Sequence, residues 1–379
     1  MPTHLILVPG FLGFQRLGTM SYFVKVEEVL TRLGERLRED VQVQAMRTLP
    51  TGTLGARAAK LAEFVDGLPD DGGDVHLLGH STGGVDARLF LSPGASLPTT
   101  VDVDAAASRV RSAVSIAAPH HGTPLALFMT GVNGHRLLRV MSFVLTKMLS
   151  TARGPVRAIG SVSETVLLLD ALSGLDRHVR KPLADRLGPL LSKPLDADLD
   201  DGGALHPLIE DMGHDSALLE HLTPSSMDLF NTAVGNRRGV AYGCIVAAAP
   251  PPSLRGRARV GFDPLGQLGY ALFSALHRLC ALSNPRLHRV LDHAQRTALL
   301  AGLGRIPETA DSDAFVPTLS QVWGEVIDAR PCDHLDLMGY YGEHGVDLLP
   351  CAADFGASEF KRVWQRAGLF ALDPGFRTH

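Results

Sequence analysis

The sequence predicts an α/β fold, a mostly parallel central sheet with helices on both faces, and three observations carry that expectation. Apolar runs of strand length alternate with segments of helical period between residues 4 and 118. A glycine-rich hexapeptide, GHSTGG at 79–84, lies between one such strand and the helix after it. The 379 residues are 45% hydrophobic and 20% charged, a globular composition with enough apolar material for a sizeable core.

The elements follow in order. HLILV at 4–8 is apolar throughout and reads as a buried strand. Residues 22–38 predict a helix with Phe23, Val26, Leu30, Leu33 and Leu37 on one face. VQVQAM at 41–46 alternates as a strand does, and ARAAKLAEFVDGL at 56–68 returns to helical period. DVHLLG at 74–79 is the strand before the glycines, VDARLFL at 85–91 the helix after them, and RVRSAVSIAA at 109–118 the next strand. The alternation then stops: 123–239 is dominated by helical patterns such as SETVLLLDALSGL and reads as a helical lid or cap insertion. VAYGCIVAAA at 240–249 resumes the sheet, PPPS breaks it, and a second mostly helical insertion covers 251–309. DFGASEFKRVWQRAGLF predicts a closing amphipathic helix. No repeat or low-complexity tract divides the chain, so a single domain over 1–379 with two excursions is expected.

Charge and cysteine usage narrow the function classes. A formal net charge of -4 and the lack of a long Lys/Arg run argue against nucleic-acid partners and a polybasic membrane anchor. Cys244, Cys280, Cys332 and Cys351 have no CxxC spacing and read as buried thiols; a Cys332 to Cys351 disulfide stays open for an exported protein. The first residues, MPTHLILVPG, enter a strand without a charged leader, and no stretch reaches the roughly 18 apolar residues of a membrane span. The expectation is a soluble chain, cytoplasmic as the sequence stands or secreted if a leader has been removed.

GHSTGG fits GxSxG through Gly79, Ser81 and Gly83, and its strand-turn-helix setting is what a nucleophile elbow requires. The serine there occupies strained backbone at the carboxyl end of a strand, and larger neighbours would collide with the flanking elements. Ser81 is the expected nucleophile, with His80 a structural part of the elbow because neighbours along a tight turn point different ways. The base should come late in the chain. His334, in PCDHLDLMG, is preferred over His344, and over His277, His288 and His293 in helical patterns. The orienting acid should end the preceding strand; of Glu308, Asp311 and Asp313 in ETADSDAFVP, Asp313 is preferred and Asp311 is the alternative. Oxyanion donors are expected from the backbone amides of Thr82 and of Phe11 in the glycine-flanked VPGFLGF at 8–14.

With these residues placed, the chain resembles the bacterial true lipases of the α/β-hydrolase fold, a family of mostly secreted triacylglycerol lipases. PGFLGF stands where the family has HGLFGF, and YFVKVEEVL where it has an aromatic-rich helix entry. GHSTGGVDAR, through Ala87 and Arg88, is similar to GHSQGG followed by an alanine-arginine pair. APHHGTP at 118–124 looks like TPHRGS, and LTPSSMDLFN at 222–231 like LTxxxxxxFN. SDAFV is similar to NDGLV, which puts the acid on Asp313, and DHLD to NHLD, which puts the base on His334.

The departures carry their own expectations. Pro9 replaces the family's histidine before the oxyanion glycine, so the loop must be braced from elsewhere. The family's structural calcium would fall on Asp336, yet the glutamine expected four residues later is Tyr340, and Asp292, the other candidate carboxylate, lies in a helical pattern. No cofactor is required, and a calcium-free protein is the expectation. Leu137, Leu138, Met141, Val144, Leu145 and Met148 form a helical stripe where the family carries its lid; core packing explains the same stripe. His120 and His121 are given a structural role.

The resemblance implies a serine carboxylic-ester hydrolase, a triacylglycerol lipase or carboxylesterase, acting on a small-molecule or lipid ester with transient contact to a lipid interface. Two alternatives stand beside it: an acyltransferase, thioesterase or polyester depolymerase using the same three residues, and a non-catalytic binding protein on this scaffold. Acyl chain length and oligomeric state are not legible.

Overall fold

The computed structural model describes residues 1–11, 16–17, 20–50, 52–130, 217–261, 264–281, 290–342, 347–373 and 375–376. The stripe at 137–148, His288 and His344 lie outside them.

The amino-terminal part runs β1 (Thr3–Val8), a short antiparallel pair β2 (Arg16–Leu17) and β3 (Met20–Ser21), α1 (Val26–Leu37), β4 (Val41–Ala45) and α2 (Leu54–Asp66). Next come β5 (Val75–His80), α3 (Thr82–Leu91), α4 (Val103–Ser108), β6 (Val110–Ile116) and α5 (Pro124–Met129). Past the undescribed stretch follow α6 (Ala217–His221), α7 (Pro224–Ala233), β7 (Ala241–Ala247), α8 (Leu254–Arg259), α9 (Pro264–Cys280) and α10 (His293–Leu303). A 3-10 turn (Thr318–Gln321), β8 (Glu325–Arg330) and α11 (Ala357–Leu372) complete the chain.

Six strands form one sheet in the order β4-β1-β5-β6-β7-β8, every neighbouring pair parallel. Parallel strands need crossover helices, and those helices bury both faces of the sheet, which is why β1 and β5 are apolar on both sides. Leu5, Leu7, Leu78, Val114 and Ile245 pack against Val26 and Leu30 of α1 and Val363 and Trp364 of α11. Their neighbours Ile6, Val8, Val75 and Leu77 face the other way, onto Ala58, Leu61 and Val65 of α2 and Phe90 of α3. Cys244, Val246 and Val326 extend that second face to Leu299 of α10.

Several boundaries differ from expectation for physical reasons. The first helix begins at Val26, not residue 22, because Lys25 takes the left-handed conformation (φ 60°). Tyr22 and Phe23, buried ahead of it, pack as loop residues. β8 escapes notice in the sequence because EVIDAR carries charge: as an edge strand it holds Asp328, which accepts from Arg330 at 3.1 Å. Asp313 does not end a strand. It sits in a turn closed by a Ser312 to Pro317 bridge, between α10 and the 3-10 turn. All four cysteines are buried free thiols, Cys332 and Cys351 included. Among the described residues no helix is long and apolar enough to cross a membrane.

Candidate active site

The elbow forms where β5 turns into α3. Ser81 has φ 55° and ψ −129°, a strained conformation for a side-chain-bearing residue, and its amide donates to the carbonyl of Ile116 at 2.8 Å. The glycines are there for space. A Cβ on Gly79 would lie 2.5 Å from the backbone of Gly83, and one on Gly83 would lie 2.2 Å from the Val8 carbonyl oxygen. A Cβ on Gly10 would meet Ser81 Cβ at 2.6 Å, so the loop after β1 passes directly against the serine.

Two residues from the last third of the chain meet next to His80, the residue before the serine. His334 Nδ1 lies 2.7 Å from Asp313 Oδ2, with Asp313 fully buried and His334 nearly so. Three further donors hold the carboxylate still: the amides of Phe315 (2.9 Å) and Val316 (2.7 Å) on Oδ1, and Gln321 Nε2 (3.1 Å) on Oδ2. A carboxylate so held fixes the imidazole tautomer, with the proton on Nδ1 and the lone pair on Nε2. The Phe315 ring lies over the imidazole at 5.1 Å. Asp311, two residues away, instead binds Arg305. Among the described residues the Ser81 hydroxyl forms no hydrogen bond.

His80 joins the two sides. Its ring lies 4.6 Å from that of His334, and its Nε2 donates to the His334 carbonyl at 3.2 Å. Its Nδ1 faces the Tyr22 hydroxyl at 2.9 Å, and that oxygen in turn accepts the Gly10 amide at 2.8 Å. Burial, and then the neighbouring His334, hold the His80 imidazole well below its ordinary pKa, so it is neutral.

The bracing that Pro9 cannot give comes from Arg57. Fully buried on α2, it donates to the carbonyls of Pro9 (2.9 Å) and Gly10 (3.2 Å) and to that of Leu49, and pairs with Asp86 of α3 at 2.7 Å. Burial pushes the Asp86 carboxyl up, and the Arg57 charge opposes that shift. Thr82 opens α3, so its amide has no acceptor within the helix. Phe11 is half-buried and packs against the cluster that includes Val85 and Leu222.

The other sequence motifs meet behind the elbow. Arg88 donates to Asn231 Oδ1 at 3.0 Å and stacks on the Trp323 ring at 3.2 Å, while Asn231 Nδ2 donates to the His120 carbonyl at 2.8 Å. His120 also bonds Ser115 at 2.8 Å, a packing role. Tyr22, Arg57, Asp86 and Gln321 are the partners sequence reasoning missed. Only Arg57 left a signal, a charge on the otherwise apolar face of α2.

The calcium ligand set implied by the resemblance is not assembled. Asp292 caps the start of α10, accepting from the Gln295 amide at 2.8 Å, and the Tyr340 hydroxyl donates to the Ser21 carbonyl at 2.8 Å. Asp336 faces Asp333 and Cys351 instead.

Comparison with known proteins gives distant homology to bacterial triacylglycerol lipases. A triacylglycerol lipase of Vibrio cholerae serotype O1 is 29% identical over 182 residues, covering 48% of each chain. One from Pseudomonas fragi is 25% identical over 193 residues, covering 48% of this chain and 60% of its own. The chain thus spans about half the length of the curated relatives it matches. The structure of lipase 1 from Pelosinus fermentans superposes with a TM-score of 0.52 at 18% identity, over 97% of this chain and 98% of that one. The fold is that of the α/β-hydrolase lipases. No protein-family model matches the sequence.

Proposed function

We propose that the protein is a serine carboxylic-ester hydrolase, a lipase or esterase, with Ser81 as nucleophile, His334 as base and Asp313 as orienting acid. The observation that carries this reading is the buried Asp313–His334 pair at 2.7 Å, linked through His80 to a serine in elbow conformation.

Ser81 Oγ attacks the ester carbonyl carbon as His334 Nε2 takes its proton, and the carbonyl electron pair moves onto oxygen. The contact between hydroxyl and imidazole forms in the substrate complex, as is common for catalytic hydrogen bonds loose in the free enzyme. The amides of Phe11 and Thr82 hold the oxyanion, a donor of this kind being worth about 10²–10³ in rate. Collapse breaks the bond to the alcohol, which leaves with the proton from His334, and Ser81 keeps the acyl group. Water then gives its proton to His334, attacks the acyl carbon, and the acid departs as Ser81 Oγ recovers the proton. Asp313 stabilises the imidazolium at both stages.

The test is initial hydrolysis rate across p-nitrophenyl esters of increasing acyl length, parent beside Ser81→Ala, with fluorophosphonate labelling of both. Hydrolysis and labelling that vanish in the variant support the reading, and a rise in rate with acyl length selects a lipase. A folded parent inert towards every ester and unlabelled overturns it in favour of a binding role. Labelling of Ser81 without hydrolysis points to acyl transfer.

A further inference from the structure

Behind the His334 loop lies a set of buried groups that the proposed chemistry does not use. Asp333, Asp336 and Cys351 bring one ligand atom each to within 4.8 Å of one another, and all three are buried. Cys351 Sγ lies 3.9 Å from Asp336 Oδ2, which also accepts the Asp333 amide at 3.0 Å. Asp333 Oδ1 is satisfied by the amides of Leu335 (2.8 Å) and Asp336 (3.1 Å), but its Oδ2 is fully buried with no hydrogen-bond partner. A third carboxylate, Asp347, also buries an unpartnered oxygen, and its charge acts on Asp336 while that of Asp333 acts on it.

Among the described residues none of these three carboxylates forms a salt bridge. Buried carboxylates without a counter-charge are resolved by protonation or by a cation.

We propose that Asp333, Asp336 and Cys351 form a structural site for one borderline divalent cation of the zinc class. The thiol decides the class. Zinc takes four ligands, combining thiolate at about 2.3 Å with carboxylate at about 2.0 Å, whereas calcium takes six to eight oxygens. The site therefore shares Asp336 with the calcium set considered above but differs from it in the other ligands and in the ion. Binding is proton exchange without redox change: the Cys351 S–H bond breaks, S–metal forms, and the thiol proton, with any carried by the carboxylates, passes to solvent. Because Asp333 and Asp336 flank His334, the ion would tie the base loop to Cys351. The inference is independent of whether Ser81 is a nucleophile.

The test is made on the full chain, stripped with a chelator and kept in a non-thiol reductant, then dialysed against zinc or calcium and titrated separately with cadmium. Expected are one zinc per chain, little calcium, and an ultraviolet thiolate-to-cadmium band. That band should disappear in Cys351→Ser and persist in Cys332→Ser, and zinc binding should weaken about tenfold or more in Asp333→Asn. No zinc bound, calcium bound in preference, or no cadmium band in the parent overturns the proposal. Because the parent's band alone reports a thiolate ligand, the result stands even if Cys351→Ser fails to fold.

Discussion

The Tyr22 hydroxyl lies 2.9 Å from His80 Nδ1, although 58 residues separate them. Since the Gly10 amide donates to the same oxygen, the phenol proton points at His80, and His80 keeps its own proton on Nε2 for the His334 carbonyl. A single line of hydrogen bonds thus runs from the loop after β1, through the elbow, to the loop that carries His334.

Tyr22→Phe should loosen that line while keeping the ring in place. The Gly10 amide loses its acceptor, which costs about 1–3 kcal/mol of stability when the group stays buried. The rate constant kcat for ester hydrolysis should fall roughly tenfold with KM nearly unchanged, because orientation of the adjacent Phe11 amide matters most in the transition state. Urea unfolding and steady-state kinetics check the two parts. An unchanged kcat would sink the positioning role.

Asp313→Asn should lower kcat by about 10⁴, because an amide can present its nitrogen to Nδ1 and favour the wrong tautomer. Asp311→Asn loosens the links to Arg305 and to the Glu308 amide, neither of which touches His334, and its kcat should stay within about twofold of the parent. A reversal of the two results would move the acid to Asp311.

The Arg57–Asp86 pair predicts a stability effect. Arg57→Met leaves the Asp86 carboxylate buried and alone, a loss of about 3–5 kcal/mol. Arg57→Met with Asp86→Leu should recover much of it, though the carbonyls of Pro9 and Gly10 stay unbraced. Denaturant midpoints of the three variants decide this, and no recovery in the double variant would mean the carbonyl contacts dominate.

Acid should destabilise the fold through buried neutral imidazoles. Burial lowers the pKa of both His80 and His277, so below about 6.5 the unfolded chain binds protons that the folded chain refuses. Their contribution is complete above the unfolded value and is lost as pH falls towards the folded values, at up to about 1.4 kcal/mol per pH unit for each histidine. His277→Gln should flatten stability against pH between 6.5 and 5, measured by urea unfolding. An unchanged slope would contradict the assignment.

Much of the fold was legible because its signals are local. The apolar runs of β1 and β5 show burial on both sheet faces, and the glycines around Ser81 show where backbone must pass against backbone. β8 and α4 stayed hidden, the first because an edge strand tolerates charge, the second because VDAAAS is too short for a period.

By itself the sequence determined the residue types and their order: a serine in an elbow, an acid in SDAFV, a histidine in DHLD, with strands and helices alternating around them. Only the tertiary structure decided the pairings. It set Asp313 rather than Asp311 on His334, placed Tyr22 against His80, turned Arg57 inward under the Pro9 loop, and left Asp292 capping a helix while Asp336 faces Asp333 and Cys351. Local periodicity fixes which face of an element is apolar, whereas contacts between distant segments follow from how those faces pack, and a two-residue shift in a turn is enough to send a carboxylate to a different partner.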